Sequence, residues 1–244
     1  MTSAALGPVA RQRPVDAVVE RLRKEILAGT FRAGAHLPPE RQLAETLGVS
    51  RLTLRAGLAR LEAEGLVRAR QGDGVMVLEL GEHASLAILP YIDLAARPEV
   101  LRSVLELRRA IAAEAVALAC ERADDAAIDE LARLAAEQAV ERDEARYRER
   151  DLAFARALLT ASESFASLLL FNALVPVYAA HPRLAEALLA DRERSLAGYA
   201  VTLSLLRARN PDRARRAIRE ALEESDRAAL AALTKPATKR RSKR

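Results

Sequence analysis

Over the first eighty positions, apolar residues recur three and four apart. Val18, Val19, Leu22, Ile26 and Leu27 fall on one stripe of a helix with 3.6 residues per turn. Pro14 suits the first turn of that helix, where its missing N–H would be unpaired anyway, and Gly29 suits its end. A connector with Gly34 follows over 31–37. A second helix is expected from about 39 to 47. A third is expected from just after Ser50, a good N-cap, to just before Gly65, with Leu54, Leu58 and Leu61 turned inward. Residues 66–70 and 75–78 then read as strands around the turn Gly72-Asp73-Gly74.

Residues 79–86 read as a short linker. Beyond them no strand-like alternation occurs, and the chain breaks into about seven helical segments near 87–95, 98–121, 125–142, 144–161, 163–180, 183–208 and 211–232. Pro98 and Asn210-Pro211-Asp212 mark helix starts. Ala, Leu, Arg and Glu dominate, aromatics are 3% and Trp is absent, so composition also favours helices over sheets. With 244 residues and half of them hydrophobic, the chain has material for one large core or two smaller ones. The expected fold is mainly α: an N-terminal winged helix-turn-helix over 12–80, an all-α bundle of six to seven helices over 87–232, and a basic disordered tail over 233–244.

Charge sharpens this division. Residues 1–80 carry a net +3, residues 81–234 a net −4 and the last ten a net +6. A general polyanion-coating role fits this distribution less well than one dedicated DNA-reading unit. The tail could add non-specific phosphate attraction. Cys120 is single and cannot form an internal disulfide; it reads as a small buried side chain on a helix. No signal-peptide pattern opens the chain, and a reducing, cytoplasmic setting is expected. The charge-free run 164–182 contains Ser164, Ser167, Asn172, Pro176, His181 and Pro182. It is read as a helix buried in the bundle, and no membrane partner is expected.

Near the start of the third helix stand Ser50, Arg51, Leu52, Thr53 and Arg55, with the two arginines one turn apart. A helix showing a basic face on successive turns can lie in the major groove, where arginine grips guanine O6 and N7 with paired hydrogen bonds. Ser50 and Thr53 can donate to phosphates. Arg41, at the start of the second helix, could reach a phosphate or a base edge, and Gln71 and Gly72 at the turn could enter the minor groove. Candidate DNA-binding residues are thus Arg41, Ser50, Arg51, Leu52, Thr53, Arg55, Gln71 and Gly72.

Residues 12–80 resemble the winged helix-turn-helix of the GntR family of bacterial transcription factors. The resemblance rests on Leu37-Pro38, Glu40-Arg41, Leu43-Ala44, Gly48-Val49-Ser50-Arg51, Thr53-Leu54-Arg55, Glu64-Gly65-Leu66-Val67 and Gly72-Asp73-Gly74. By that similarity Arg41, Ser50, Arg51, Thr53, Arg55 and Gln71-Gly72 align with DNA-contacting positions. Pro39 departs from the family, which usually has a small N-cap there. The helical half is similar to the FCD effector domain of the FadR subfamily, on Glu106-Leu107-Arg108-Arg109, Leu118-Ala119, Glu121-Arg122-Ala123, Asp151, Phe154, Ala214 and Ala217-Ile218. Many members hold a metal there with an aspartate and three histidines. Here Asp151 remains, but the histidine positions correspond to Ala155, Tyr199 and Ala221, and His36, His83 and His181 lie elsewhere. No metal and no cofactor are expected.

What replaces the lost ligands is open. Ala155 and Ala221, with Leu168, Leu169, Phe171, Leu174 and Val175, could wall an apolar cavity for an acyl chain, an acyl-CoA or an organic acid. The same side chains could equally pack as solid core. Arg108, Arg109 or Arg156 could hold a carboxylate or phosphate, or pair with a neighbour such as Glu106 or Glu114. Candidate effector-binding residues are Arg108, Asp151, Ala155, Tyr199 and Ala221.

The resemblance implies a homodimer on double-stranded DNA with a palindromic operator, tuned by a small-molecule effector. One recognition helix reads only a few base pairs, and two-fold symmetry doubles them. A constitutive DNA binder whose bundle only dimerises is the alternative. An enzyme is not expected: no histidine neighbours a plausible nucleophile, and Gly72-Asp73-Gly74 is too short for a phosphate loop.

Overall fold

The computed structural model describes residues 14–70 and 72–234. The chain divides into two compact units, with the break between Tyr91 and Ile92. Residues 1–13 and most of the basic tail lie outside the described residues. Residues 233 and 234, assigned above to the tail, instead complete the last helix.

In the first unit α1 (Pro14–Leu27), α2 (Glu40–Leu47) and α3 (Arg51–Ala63) are followed by β1 (Val67–Arg70) and β2 (Gly74–Val77). The strands pair antiparallel with Val67 opposite Val77 and Arg70 opposite Gly74. Val18, Val19, Leu22, Ile26, Leu43, Leu54, Leu58 and Leu61 are all buried, so the periodic stripes meet as the spacing requires. Gly57 lets α1 and α3 close up: a Cβ there would stand 2.7 Å from Val18 Cγ1.

The turn between α2 and α3 is locally determined. Gly48 takes the left-handed conformation, and its N–H answers the last carbonyls of α2. Ser50 Oγ then accepts from Thr53 N at 3.1 Å, a cap worth about 1 kcal/mol. Pro39 stands just outside α2 and offers no side-chain cap.

The segment read as a linker is ordered. It forms α4 (Leu80–His83), and the helical segment expected over 87–95 is a 3-10 helix (Leu86–Tyr91) containing Pro90. Arg23 explains what holds this segment. Its guanidinium, 5% exposed, donates to both oxygens of Glu64 at 2.8 and 2.5 Å and stacks 3.7 Å from the centre of the Tyr91 ring.

The second unit is all helix among its described residues: α5 (Pro98–Arg122), α6 (Asp125–Val140), α7 (Glu144–Ala161), α8 (Phe165–Ala180), α9 (Pro182–Leu189), α10 (Arg192–Ala208) and α11 (Pro211–Thr234). α5 and α11 pack along one another, and α7 and α10 lean on α5. Asp124, Asp143, Ser164 and Asp191 each cap the helix that follows. The last of these corrects the expected single helix over 183–208. Asp191 accepts from Arg194 N at 2.9 Å and begins a new helix after α9 has ended at Leu189.

A second correction concerns α8. Its apolar residues surround the helix, but only Phe171, Leu174 and Val177 are buried, while Phe165 and Leu169 are 73% and 52% exposed. Apolar composition without a stripe gives no direction for burial. Among the described residues no single helix is long and apolar enough to cross a membrane; α8 and α9 pass that test only as a pair bent by 103°. Cys120 is buried, and its Sγ donates to Leu205 O at 3.4 Å.

Candidate functional site

The first candidate surface is built on α3. Leu54, Gly57, Leu58 and Leu61 anchor one side of the helix in the core, which turns Arg51, Leu52, Arg55 and Ala56 outward. Arg41 is exposed on α2. Arg41 and Arg51 have no ion-pair partner among the described residues. Gly72 is exposed at the turn between the strands, and Gln71 lies outside the described residues.

Two of the expected roles change. Ser50 Oγ and Thr53 Oγ1 are 2.9 Å apart and hydrogen-bond to each other, so one of their two hydroxyl protons is already taken. Their first duty is capping, and together they offer one outward donor rather than two. Arg55 is not a free cation either. Its Nε donates to Glu40 Oε2 at 2.7 Å, leaving the two terminal nitrogens without a partner among the described residues. Glu40 entered the sequence reading only as part of the family motif, and its pairing with Arg55 was not foreseen. The pair links residues fifteen positions apart on different helices, which a local pattern does not reveal.

The second candidate site is a cavity of about 280 Å³ inside the helical unit. It resolves the choice between hollow and solid core in favour of a hollow. Arg108 from α5, Asp151 and Ala155 from α7, Tyr199 from α10 and Ala221 from α11 all line it. Phe171 and Leu174 contribute apolar wall, as expected. Leu168, Leu169 and Val175 are not among the lining residues, because α8 presents a different face.

The polar groups gather at one part of the wall. Tyr199 OH donates to Asp151 Oδ1 at 2.5 Å, with the Tyr199 ring 4.5 Å from that of Phe154. Burial pushes the Asp151 carboxyl above the usual carboxylate range; the Tyr199 hydrogen bond and the Arg108 charge oppose this without cancelling it. Burial and the neighbouring Asp151 also raise the Tyr199 phenol. Tyr178, which the sequence reading passed over, lines the cavity beside Arg108, and burial raises its phenol too.

The arginines sort differently from the alternatives weighed above. Arg108 Nη1 donates to Asp226 Oδ1 at 2.7 Å, and Arg109 Nη1 lies 3.4 Å from Asp226 Oδ2. Their partner is therefore Asp226, 118 residues from Arg108, and not Glu106 or Glu114. Glu114 instead pairs with Arg215 at 2.8 Å. Arg156 donates to Asn172 Oδ1 at 2.9 Å and is not among the lining residues.

The donors present do not fit a metal. Ala155 and Ala221 carry no ligating atom, and the Tyr199 hydroxyl is spent on Asp151. Among the described residues no group of three His, Cys, Asp or Glu side chains converges. One carboxylate does not make a transition-metal site.

Residues 14–77 match the gntR family of bacterial regulatory proteins, and residues 103–224, half of the chain, match the FCD domain. The chain belongs to the GntR family. Mce2R of Mycobacterium tuberculosis, an HTH-type transcriptional regulator, is 41% identical over 125 residues, covering 48% of this chain and 50% of Mce2R. The Uxu operon transcriptional regulator of Escherichia coli is 43% identical over 68 residues, 28% of this chain and 26% of that protein. The chain thus spans about half the length, or less, of these curated relatives. The solved structure of Lar, which controls the expression of the Listeria monocytogenes agr system, superposes with a TM-score of 0.56 at 20% identity. It covers 93% of this chain and 98% of Lar, and so shares the fold.

Proposed function

We propose that this GntR-family protein is a sequence-specific transcriptional regulator that binds a palindromic operator as a homodimer. A small molecule in the helical cavity modulates that binding. The observation that carries the DNA-binding half is the outward N-terminal turn of α3, where Arg51, Leu52 and Arg55 stand clear of the core beside Arg41, while Ser50 and Thr53 hold the turn in shape. Arg51 and Arg55 read guanine, each contact contributing roughly 1–3 kcal/mol of discrimination. Arg41 and the free Ser50 or Thr53 hydroxyl hold phosphates, and Gln71 and Gly72 approach the minor groove.

The cavity supports the ligand-responsive reading over the constitutive one. Its volume, about 280 Å³, lies at the lower edge of ligand pockets, which start near 300 Å³. It suits a small organic acid or an acyl segment; the nucleotide portion of an acyl-CoA would have to remain outside. Arg108 and Tyr178 serve an anionic head, beside an Asp151 carboxyl that burial pushes above the usual carboxylate range, and Ala155 and Ala221 leave space for an apolar body. The ligand acts only if it favours one arrangement of the DNA-binding units over another.

Selection of duplexes from a random pool by the full-length protein tests the first half. An enriched two-fold symmetric sequence is expected, with Arg51→Ala and Arg55→Ala each removing the preference while light scattering still reports a dimer. A protein that enriches no sequence, or a double variant that retains the preference, overturns the reading. A thermal-shift series of fatty acids, acyl-CoAs and small carboxylates tests the second half. Stabilisation by at least one of them, abolished in Ala221→Phe, is expected; stabilisation by none favours a constitutive binder.

A further inference from the structure

Leu52 is the outermost side chain of α3. The core positions Leu54, Gly57, Leu58 and Leu61 share one side of that helix. At about 100° per residue the position facing directly away from them is 52, followed along the same ridge by Ala56 and Ala59. All three are exposed, Leu52 by 80%. Arg51 and Arg55 stand on one flank of the ridge, and Thr53 and Arg60 on the other. Arg60 is paired with Asp16. The line of the helix furthest from the core is therefore apolar, while the hydrogen-bonding groups sit beside it.

A helix that enters the major groove brings its outermost ridge nearest the base edges, and its flanks face the groove walls. An apolar atom at the floor can recognise one feature. Among the four unmodified bases only thymine presents a methyl group there. Cytosine at the same place would bury its N4 amino group against a side chain that accepts nothing. Ala56, small and one turn further on, leaves room for the methyl beside Leu52.

Resting on the reading that α3 enters the major groove, we infer that Leu52 is a specificity-determining residue that packs on the 5-methyl group of a thymine in each half-site. That thymine neighbours the base pair read by Arg51 or Arg55. The arginines supply discrimination for guanine, and Leu52 supplies discrimination for a 5-methylpyrimidine.

The test uses the full-length protein and the consensus duplex that it enriches from a random pool. Each thymine is replaced in turn by deoxyuridine, which lacks only the methyl group, and Kd is measured by fluorescence anisotropy. At one thymine per half-site the replacement weakens binding roughly fourfold, and roughly fifteenfold when both half-sites carry it, as expected for one buried methyl each. Leu52→Ala, a change at an exposed position, binds the thymine duplex more weakly and no longer distinguishes it from the deoxyuridine duplex at that position. A consensus without a thymine in either half-site, indifference to deoxyuridine everywhere, or equal sensitivity in Leu52→Ala overturns this inference and leaves the regulator reading standing. Failure to enrich any sequence overturns both.

Discussion

Glu40 on α2 accepts a hydrogen bond from Arg55 Nε on α3 at 2.7 Å, across the turn that Gly48 makes possible. The bond holds one edge of the guanidinium and leaves the opposite edge for a base. It also cancels one positive charge on a surface proposed to meet phosphates. Glu40→Ala should therefore act in opposite senses on two measurements. Affinity for random DNA should rise slightly as net charge becomes more positive. Affinity for the enriched operator should fall about tenfold as Arg55 loses its orientation. Titrations against both duplexes at one salt concentration check this, and an unchanged ratio of the two affinities refutes it.

Arg23 and Glu64 form a second ion pair, of a different kind. Arg23 is almost wholly buried and bidentate, and its face lies on the Tyr91 ring. Arg23→Ala removes the partner of a largely buried carboxylate and the stack that docks the 3-10 helix. A loss of about 3–5 kcal/mol is expected, as for other broken buried pairs. Urea unfolding of the full-length protein measures it, and a loss below about 1 kcal/mol counts against this role.

Gly65 closes α3 in the left-handed region, with φ of +76°, and a Cβ there would stand 1.9 Å from His83 O. Gly65→Ala must strain its own backbone, at about 1–2 kcal/mol, and also push away the backbone of α4. Destabilisation above about 2 kcal/mol is expected from the two effects together. Gly81→Ala, where a Cβ meets open space, serves as the control in the same thermal melts.

Asp151 should make the helical unit respond to pH. Its carboxyl titrates above the ordinary range in the folded protein because burial outweighs the help of Tyr199 and Arg108; Tyr178 also borders this region. A raised carboxyl pKa means that the folded state holds the proton more tightly than the unfolded state does. Stability contributed by this group is therefore present at low pH and lost as pH rises through the folded value. Asp151→Asn keeps an acceptor for Tyr199 but cannot ionise. It should melt higher than the wild type at alkaline pH, with the gap closing as pH falls. Carboxylate ligands that stabilise the wild type should bind more tightly at lower pH, and that dependence should weaken in Asp151→Asn. A gap that widens on acidification contradicts this assignment.

Much of this protein is written locally. The stripe from Val18 to Leu27, the Ser50 cap, the left-handed Gly48 and the turn at Gly72-Asp73-Gly74 each depend on residues within a few positions of one another. Periodicity and capping chemistry therefore place α1 to α3 and the two strands. The exposed positions proposed to meet DNA could be placed on α3 for the same reason, since one helix turn displays them. That Asp151, Ala155, Tyr199 and Ala221 line one cavity was approached only through family resemblance, and Arg108 was one of three arginines that chemistry alone left open; their spacing in the chain carries no trace of the arrangement.

What local chemistry could not express is pairing at a distance. Arg108 with Asp226, Arg55 with Glu40 and Arg23 with Glu64 join separate helices, and an arginine has several carboxylates within reach of any plausible packing. Whether Ala155 and Ala221 border a hollow depends on how far α7 and α11 stand apart, which is set by how each packs on α5. α8 makes the same point. Its sixteen uncharged residues specify a helix, but with apolar groups on every side they leave its inward face to be chosen by its neighbours, and packing turned Phe171, Leu174 and Val177 toward the core and Phe165 and Leu169 away from it.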